Sequence, residues 1–401
     1  PELIHAKELG IPTIERADFL GELTRCYENT IAVSGTHGKT TTTSMVSLCF
    51  LEALKDPSIQ VGAYLKQIDG NYKVGTSEHF IIEACEYVEG FLKFSPKSEI
   101  ILNIDNDHLD YFKTFDNIKN AFVKYVRLLP DDGLLIVNGD DSNCLDLLQH
   151  TNAKSLTYGI SNKNTDFFAV NIAFDENGFA EFDVYNNNSL FGRFKLSVPG
   201  IHEVLDAVAA IALVCKIIEH FGKNPIDFVD TIALGVEKFS GGKRRSEIVS
   251  RLKINNNDVI VIDDYGHHPT AVKTTLEGFR NFYKNRKIIV DFMSHTYSRT
   301  QSLLKEFSQS FDSADVVILH KIYSSARENP SDFEITGKTL FDEVQKNFKN
   351  KENVFYFEEV LDAKDFVLSE LQKELPAGCQ GYLFVTMGAG DNWKLGKEIG
   401  N

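Results

Sequence analysis

A predicted phosphate-binding loop is the segment whose residue types and spacing point most clearly to chemistry. A short apolar strand, Ile31–Val33, runs into a Gly-rich turn, and Lys39 and Thr40 follow at the predicted start of a helix. In such a loop, backbone N–H groups and the helix N-terminus surround phosphate oxygens, the lysine reaches the β- and γ-phosphates, and the threonine can ligate Mg²⁺. Two residues separate Gly35 from Gly38, where the common nucleotide loop has four. An ordinary strand–turn–helix is the alternative interpretation.

Polar clusters also follow two other strands predicted in the first half of the chain. Glu83 and Glu86 come after one strand, and the aspartate-rich segment 103–110, which holds His108, comes after the next. Ligands of open α/β sheets bind beyond the carboxyl ends of the strands, so these clusters are expected near the phosphate loop. Either glutamate could ligate Mg²⁺ or cap a helix, and His108 alone could be an ordinary loop histidine.

Three predicted strands of the second half end in polar segments as well, at 263–269, 291–300 and 388–393. The pair His267–His268 resembles metal ligands, but adjacent residues seldom both reach one ion, and the proline that follows favours a helix start. Substrate or structural contacts are therefore the preferred interpretation. Two sheets whose polar ends face one cleft would suit a reaction that joins two substrates.

The elements that must position these residues form two alternating series of strands and helices. The first series runs from residue 29 to about 240, with strands at 31–34, 79–83, 99–103, 134–138 and 154–158, antiparallel strands within 165–197 and a long helix at 202–220. After a predicted hinge at 239–243, the second has strands near 258–263, 287–292, 314–319, 353–356 and 381–386. The pattern predicts an α/β fold whose second half is a mostly parallel, doubly wound sheet.

Composition restricts the class of protein. A chain of 401 residues is expected to form two or three domains, and its net charge of −15 argues against a nucleic-acid-binding surface. No apolar run is long enough for a membrane span. The six cysteines are scattered, which favours free thiols and a cytoplasmic location.

Seven ordered motifs together resemble the Mur ligase family over nearly the whole chain. They are Gly35–Thr43, Glu83–Glu86, Asn103–His108, Arg244–Arg245, Asp263–Thr270, His295–Thr300 and Gly388–Trp393. The resemblance implies a central P-loop-type ATPase domain with a mostly parallel sheet and a C-terminal Rossmann-like domain. It also implies an ATP- and Mg²⁺-dependent ligase of peptidoglycan synthesis. ATP would phosphorylate the carboxylate of UDP-N-acetylmuramate, and the amine of L-alanine would then displace phosphate.

The resemblance also implies a role for each site residue. Those expected to bind the nucleotide are Gly35, Thr36, His37, Gly38, Lys39, Thr40, Thr41, Asn103, Arg245 and Asp264. Thr40 is expected to ligate one Mg²⁺, and Glu86 with His108 a second, with Glu83 as the alternative to Glu86. Catalytic roles are expected for Lys39, Glu86, His108, His295 and Arg299, and substrate contacts for Tyr265, His267, His268, Tyr297 and Arg327.

Two departures from the family pattern open alternatives. The family begins with a UDP-binding domain, of which residues 1–28 resemble only the end, so we expect a truncated or separately encoded domain, a central domain at 29–242 and a C-terminal domain at 243–401. The family also has two asparagines where this chain has Glu203 and Asp206. A carboxylate at 206 can accept a hydrogen bond from the adenine amine but cannot donate one to the ring.

Two other functions therefore remain open at this point. A ligase of the same class could use a murein tripeptide or another amine in place of L-alanine. A non-catalytic, Mur-like partner subunit is the alternative of a different class.

Overall fold

The computed structural model describes residues 2–175, 179–324 and 328–400, and of Asp110 the backbone alone. The strands are β1 (Asn29–Ser34), β2 (Ser58–Leu65), β3 (Gly70–Lys73), β4 (His79–Glu83), β5 (Ser98–Ile101), β6 (Leu134–Asn138), β7 (Lys154–Gly159), β8 (Phe167–Phe174), β9 (Ala180–Asn186), β10 (Ser189–Lys195), β11 (Glu247–Ile254), β12 (Asn257–Asp264), β13 (Arg286–Phe292), β14 (Val316–Leu319), β15 (Val354–Tyr356) and β16 (Gly381–Met387). The α-helices are α1 (Glu2–Glu8), α2 (Arg16–Thr24), α3 (Lys39–Ala53), α4 (Leu109–Phe112), α5 (Phe115–Val126), α6 (Ser142–Asp146), α7 (Ile201–His220), α8 (Val229–Glu237), α9 (Pro269–Phe282), α10 (Tyr297–Ser302), α11 (Leu304–Ser308), α12 (Gly337–Asn347), α13 (Lys364–Leu371) and α14 (Trp393–Gly400).

The first half of the chain forms a ten-stranded sheet in the order β10-β9-β8-β7-β6-β5-β1-β4-β2-β3. Its central strands are parallel, and the predicted antiparallel strands within 165–197 are β8, β9 and β10 at one edge. Strand β1 lies between β4 and β5, so three adjacent strands deliver their carboxyl ends to the same place. The predicted polar clusters at 83–86 and 103–110 therefore meet the phosphate loop.

The second half forms a six-stranded sheet in the order β11-β12-β16-β13-β14-β15. All of its pairs are parallel except β11 with β12, which confirms the predicted doubly wound sheet. The predicted hinge at 239–243 lies between α8 and β11. Three strands, β2, β3 and β11, were not predicted from the sequence. Two of them, β3 and β11, are antiparallel edge strands, which carry a weaker apolar signal because one side faces solvent.

Helices α3 and α7 pack together on one face of the central sheet and hold the phosphate loop in place. Helix α7 is apolar on nearly all sides and buried through most of its length, as expected for a helix inside a core. Helix α3 buries a run of hydroxyl side chains at its start, and Thr43 and Ser44 satisfy theirs on the carbonyls of Lys39 and Thr40. The start of α3 is therefore polar and buried at the same time.

The other face of the central sheet has a second apolar core, to which Leu20 of α2 contributes. Strand β5 places one acidic group in this sheet, because Glu99 is buried and neither of its carboxyl oxygens has a hydrogen-bond partner among the described residues. Burial raises the pKa of the Glu99 carboxyl well above its ordinary value. Among the described helices, none combines the length and the apolar character that a membrane crossing requires.

Candidate active site

The phosphate loop connects β1 to α3 and is shaped by two glycines. Gly35 and Gly38 have φ angles of +138° and +83°, a region that favours glycine. A Cβ on Gly38 would also lie 2.8 Å from Oδ1 of Asp206, so a side chain there would displace that carboxyl group. Backbone N–H groups at the start of α3 are thereby left facing the cleft, where they can receive phosphate oxygens.

Lys39 at the start of α3 forms a buried ion pair with Glu86. Its Nζ lies 2.9 Å from Oε2 and 3.2 Å from Oε1 of the glutamate, and the two side chains are 12% and 2% exposed. Nζ also donates to the carbonyls of Gly35 and Thr36. Burial alone would lower the pKa of Lys39, but the Glu86 carboxylate raises it above its ordinary value, so the lysine is charged.

The neighbouring loops complete this side of the cleft. His108 Nε2 lies 3.9 Å from Oε1 of Glu86, so the two side chains predicted to share a metal are brought together. Glu83 is instead directed to β2, where its Oε2 accepts from the Gly62 N–H at 2.6 Å. Asn103 holds the phosphate loop through two hydrogen bonds with the backbone of His37, at 2.7 and 3.0 Å.

Arg299 of α10, in the second half of the chain, reaches across the cleft to Asp107 in the segment after β5. Its Nη2 and Nε donate to the same carboxylate oxygen at 2.8 and 3.0 Å, and both side chains are largely buried. Burial alone would raise the pKa of Asp107, but the Arg299 charge and nearby histidines hold it well below the usual value. The carboxylate is therefore ionised, and the ion pair joins the two halves of the protein.

Three histidines of the second half line the same cavity: His267, His268 and His295. Burial and the neighbouring Arg299 charge lower the pKa of His267 and of His295. Burial and the neighbouring His37 ring lower the pKa of His268. The rings are therefore neutral near neutral pH. His268 is the N-cap of α9, which confirms the predicted helix start at Pro269.

Two buried carboxyl groups, Glu203 and Asp206, form the wall of the cavity beside the phosphate loop. Glu203 Oε2 has no hydrogen-bond partner among the described residues. Burial and the Glu203 charge raise the pKa of Asp206 well above its ordinary value. A protonated Asp206 has a carbonyl oxygen that accepts and a hydroxyl that donates, which are the two hydrogen-bonding functions of an asparagine side chain.

Most of the remaining predicted residues line the same cavity, but not all of them do. Thr36, Thr40, Thr41, Arg245, Asp264 and Tyr265 line the cavity, which has a volume of about 1150 Å³. The Asp264 carboxylate is already satisfied by the N–H groups of Ser246 and Gly266, both at 2.7 Å. Tyr297 does not line the cavity and stacks on Phe333 at 5.8 Å. Arg327 lies outside the described residues.

Two groups that organise the site were not predicted from the sequence. Asp107 was part of a predicted cluster, but its pairing with Arg299 was not predicted. Glu328 accepts hydrogen bonds from the N–H groups of Tyr297 and Ser298 and so fixes the start of α10, which carries Arg299. An acidic residue 30 positions away in sequence carries no local signal for this role.

Together, the fold and the site define an enzyme in which a nucleotide-phosphate loop on one α/β sheet faces basic and imidazole groups on another. Two family models match the chain: the Mur ligase middle domain at residues 33–214, and the Mur ligase, glutamate ligase domain at residues 244–390. The chain belongs to the Mur ligase family, a family of ATP-using ligases that form C–N bonds.

Individual relatives agree with this placement. The chain is 42% identical over 401 residues to a UDP-N-acetylmuramate–L-alanine ligase of Acetivibrio thermocellus, an alignment that covers 99% of this chain and 79% of the relative. The crystal structure of a UDP-N-acetylmuramate–alanine ligase of Thermotoga maritima matches with a TM-score of 0.77 and 25% identity, over 100% of this chain and 81% of that one. A murein peptide ligase of Psychrobacter arcticus shares the fold, with a TM-score of 0.68 and 23% identity over 99% and 82% of the two chains.

Proposed function

We propose that this protein joins L-alanine to the carboxylate of UDP-N-acetylmuramate at the expense of ATP, as a step in peptidoglycan synthesis. The observation that carries the proposal is the cavity that the phosphate loop shares with His267, His295 and Arg299 from the other sheet. The 42% identity to a ligase of this specificity supports L-alanine over a murein tripeptide. The two sheets support a central domain at 29–242 and a C-terminal domain at 243–401.

The first chemical step is supported by Lys39 and the N-terminus of α3. A carboxylate is a poor acylating agent because its leaving group would be oxide, and phosphorylation replaces that group with phosphate. Charge on the transferring phosphoryl group must be neutralised, and a charged lysine beside backbone N–H groups does this without rearranging solvent. For Lys39 to bind phosphate it must first leave Glu86.

The donors near the phosphate loop fit Mg²⁺, which is the second part of the proposal. Thr40 would supply a hydroxyl for one ion, and Glu86 with His108 a carboxylate and an imidazole for another. The pairing of Glu86 with a lysine ammonium supports this role, because the carboxylate already compensates a cation at that point. Glu83 fits less well, since a backbone N–H occupies it. When bound, Mg²⁺ would neutralise phosphate charge and bring the acceptor carboxylate close.

The second step, attack of the amine on the acyl phosphate, is assigned to the C-terminal side of the cleft. L-alanine arrives as an ammonium and must lose a proton before it can attack. His295 is the base that we propose for this step, because its lowered pKa leaves the ring neutral and able to accept a proton. Arg299 would orient the carboxylate of the amino acid or of the acceptor, and its bond to Asp107 sets its position.

The experiment that tests the proposal follows phosphate release from ATP with Mg²⁺, UDP-N-acetylmuramate and a panel of amines. The panel contains L-alanine, glycine, L-serine and the murein tripeptide. The assay uses this chain, alone and together with the segment of the Acetivibrio thermocellus relative that the alignment leaves uncovered. Release that depends on L-alanine is the expected result, and hydroxylamine should then trap the acyl phosphate as a hydroxamate.

Other outcomes are equally informative. Release that depends on the tripeptide would replace L-alanine with that substrate. ATP binding without phosphate release for any amine, in either form of the assay, would exclude ligase activity and favour the partner-subunit function. The variant Lys39→Met is the control, because it removes the phosphate-binding ammonium and should abolish release in every arm.

A further inference from the structure

Three side chains from both sides of the cleft converge at a second point, separate from Glu86 and His108. They are His37 of the phosphate loop, Asp105 of the segment after β5 and His268 at the start of α9, and one ligand atom of each lies within 4.8 Å of the other two. His37 Nε2 is 3.2 Å from Asp105 Oδ2, and His268 Nδ1 is 3.9 Å from that oxygen. The centroids of the His37 and His268 rings are 4.9 Å apart.

The surroundings of this triad orient the donor atoms. His268 Nε2 lies 3.1 Å from the Asn106 carbonyl, so it carries the proton, and Nδ1, which is 3.9 Å from Asp105 Oδ2, keeps its lone pair. Metal-binding histidines usually donate their other ring N–H to a carbonyl or carboxylate in this way. The Thr270 hydroxyl donates to Asp105 Oδ2 at 2.8 Å and so fixes the carboxylate. The Thr270 N–H reaches the same Nδ1 at 3.3 Å, a long hydrogen bond that an ion would replace.

The donor set selects a class of metal. Two imidazoles and one carboxylate suit Zn²⁺, Co²⁺ or Ni²⁺, whereas Mg²⁺ and Ca²⁺ prefer a shell of oxygen atoms. Bonds of about 2.0–2.1 Å at tetrahedral angles place ligand atoms roughly 3.3 Å apart. His37 Nε2 already lies 3.2 Å from Asp105 Oδ2, whereas His268 Nδ1, at 3.9 Å, must move closer when an ion binds. Three protein ligands leave a fourth position open to the cavity.

We propose that His37, Asp105 and His268 bind one ion of the zinc class and that this ion ties the C-terminal domain to the phosphate loop. His37 and Asp105 lie in loops of the first half of the chain and His268 at the start of α9 in the second, so neither half holds the complete set of ligands. The ion would fix the spacing between the phosphate loop and α9. This site goes beyond the ligase reaction, which needs no such ion.

The test uses Co²⁺, whose visible absorption reports both its binding and its geometry. The protein is titrated without ATP or acceptor and in excess Mg²⁺, so that oxygen-rich sites are already filled. We expect one Co²⁺ per chain with the intense bands of a four-coordinate ion, and displacement by Zn²⁺. The variants His37→Asn and His268→Asn should each weaken binding by about 100-fold or more. Asparagine retains the ability to cap α9.

His267→Asn is the matched control, because His267 lines the same cavity but contributes no atom to the triad. It should bind Co²⁺ as the unmodified protein does, and circular dichroism should show all three variants folded. The proposal would be overturned if His37→Asn and His268→Asn both bound Co²⁺ as tightly as the unmodified protein, or if the bound ion gave the weak bands of six-coordinate Co²⁺. Loss in one variant alone would restrict the ion to one domain and overturn the link between domains. Ligase activity is not part of the readout, so a failure here is distinct from a failure of the proposed function.

Discussion

The buried pair of Lys39 and Glu86 should make the ligand-free protein unusually sensitive to substitution of the lysine. In Lys39→Met, Glu86 is left 1% exposed with no cation against it. Removing one partner of a buried ion pair costs about 3–5 kcal/mol. The reverse change, Glu86→Gln, should cost less, about 1–3 kcal/mol, because Nζ keeps its bonds to the carbonyls of Gly35 and Thr36.

The double variant, with both substitutions, isolates the interaction energy between the Lys39 and Glu86 side chains. It contains no unpaired charge, so its loss of stability should be smaller than the sum of the two single losses by about 2–4 kcal/mol. Urea unfolding followed by far-UV circular dichroism measures these differences. Trp393 is the single tryptophan and lies in the second half of the chain, so its fluorescence reports separately on that half.

A surface pair provides the control for this cycle. Lys55 and Glu78 approach to 2.6 Å, but Lys55 is 54% exposed, so Lys55→Met should cost less than about 1 kcal/mol. If the Lys39 and Glu86 losses simply add, within about 0.5 kcal/mol, the two side chains do not pair in solution. The reasoning about the ligand-free phosphate loop would then be wrong.

Three further predictions concern charge and pH. The pKa of Asp206 is raised, so the group becomes negatively charged beside the ATP phosphates only as pH rises through that pKa. ATP binding should then weaken by about 1–2 kcal/mol. Asp206→Asn should abolish this pH dependence in calorimetric titrations. The pKa of Glu99 is raised in the folded state, so the unfolded state loses the Glu99 proton first as pH rises. The free energy of unfolding should therefore decline by about 1.4 kcal/mol per pH unit until the pH reaches the folded-state pKa. Glu99→Gln should remove that slope in urea unfolding. Arg299→Met leaves Asp107 buried without its partner, so turnover should fall by about 30-fold or more and small-angle X-ray scattering should show a more open molecule; unchanged values of both would contradict the role of the pair.

Local patterns were sufficient to predict much of the fold. The run that ends at Val33 is apolar, the turn after it contains glycine, and Lys39 begins a helix, all within a few residues. The antiparallel strands within 165–197 were likewise predictable from near-alternation, and the start of α9 from a proline. Strand β11 was missed because only Leu252 and Ile254 alternate with polar residues, and the adjacent apolar pair Ile248 and Val249 breaks the period of two.

The pairings within the site were not predictable, for a physical reason. Arg299 and Asp107 are 192 positions apart and belong to different sheets, so their contact depends on how the two halves pack. His268 reaches the Asn106 carbonyl across 162 positions in the same way. Lys39 was predicted to bind the nucleotide phosphates and Glu86 to ligate Mg²⁺. Their contact with each other follows from burial, which requires a counter-charge whenever the ligands are absent.

The position of β1 between β4 and β5 has a consequence for the order of events in catalysis. The groups that would bind the phosphates of ATP follow three hydrogen-bonded strands of one sheet, whereas Arg245, Asp264 and the groups that would receive the amine come from the second half of the chain. With the proposed roles, the phosphates would be bound before the cleft is complete, and the amine would be positioned only after the two halves meet.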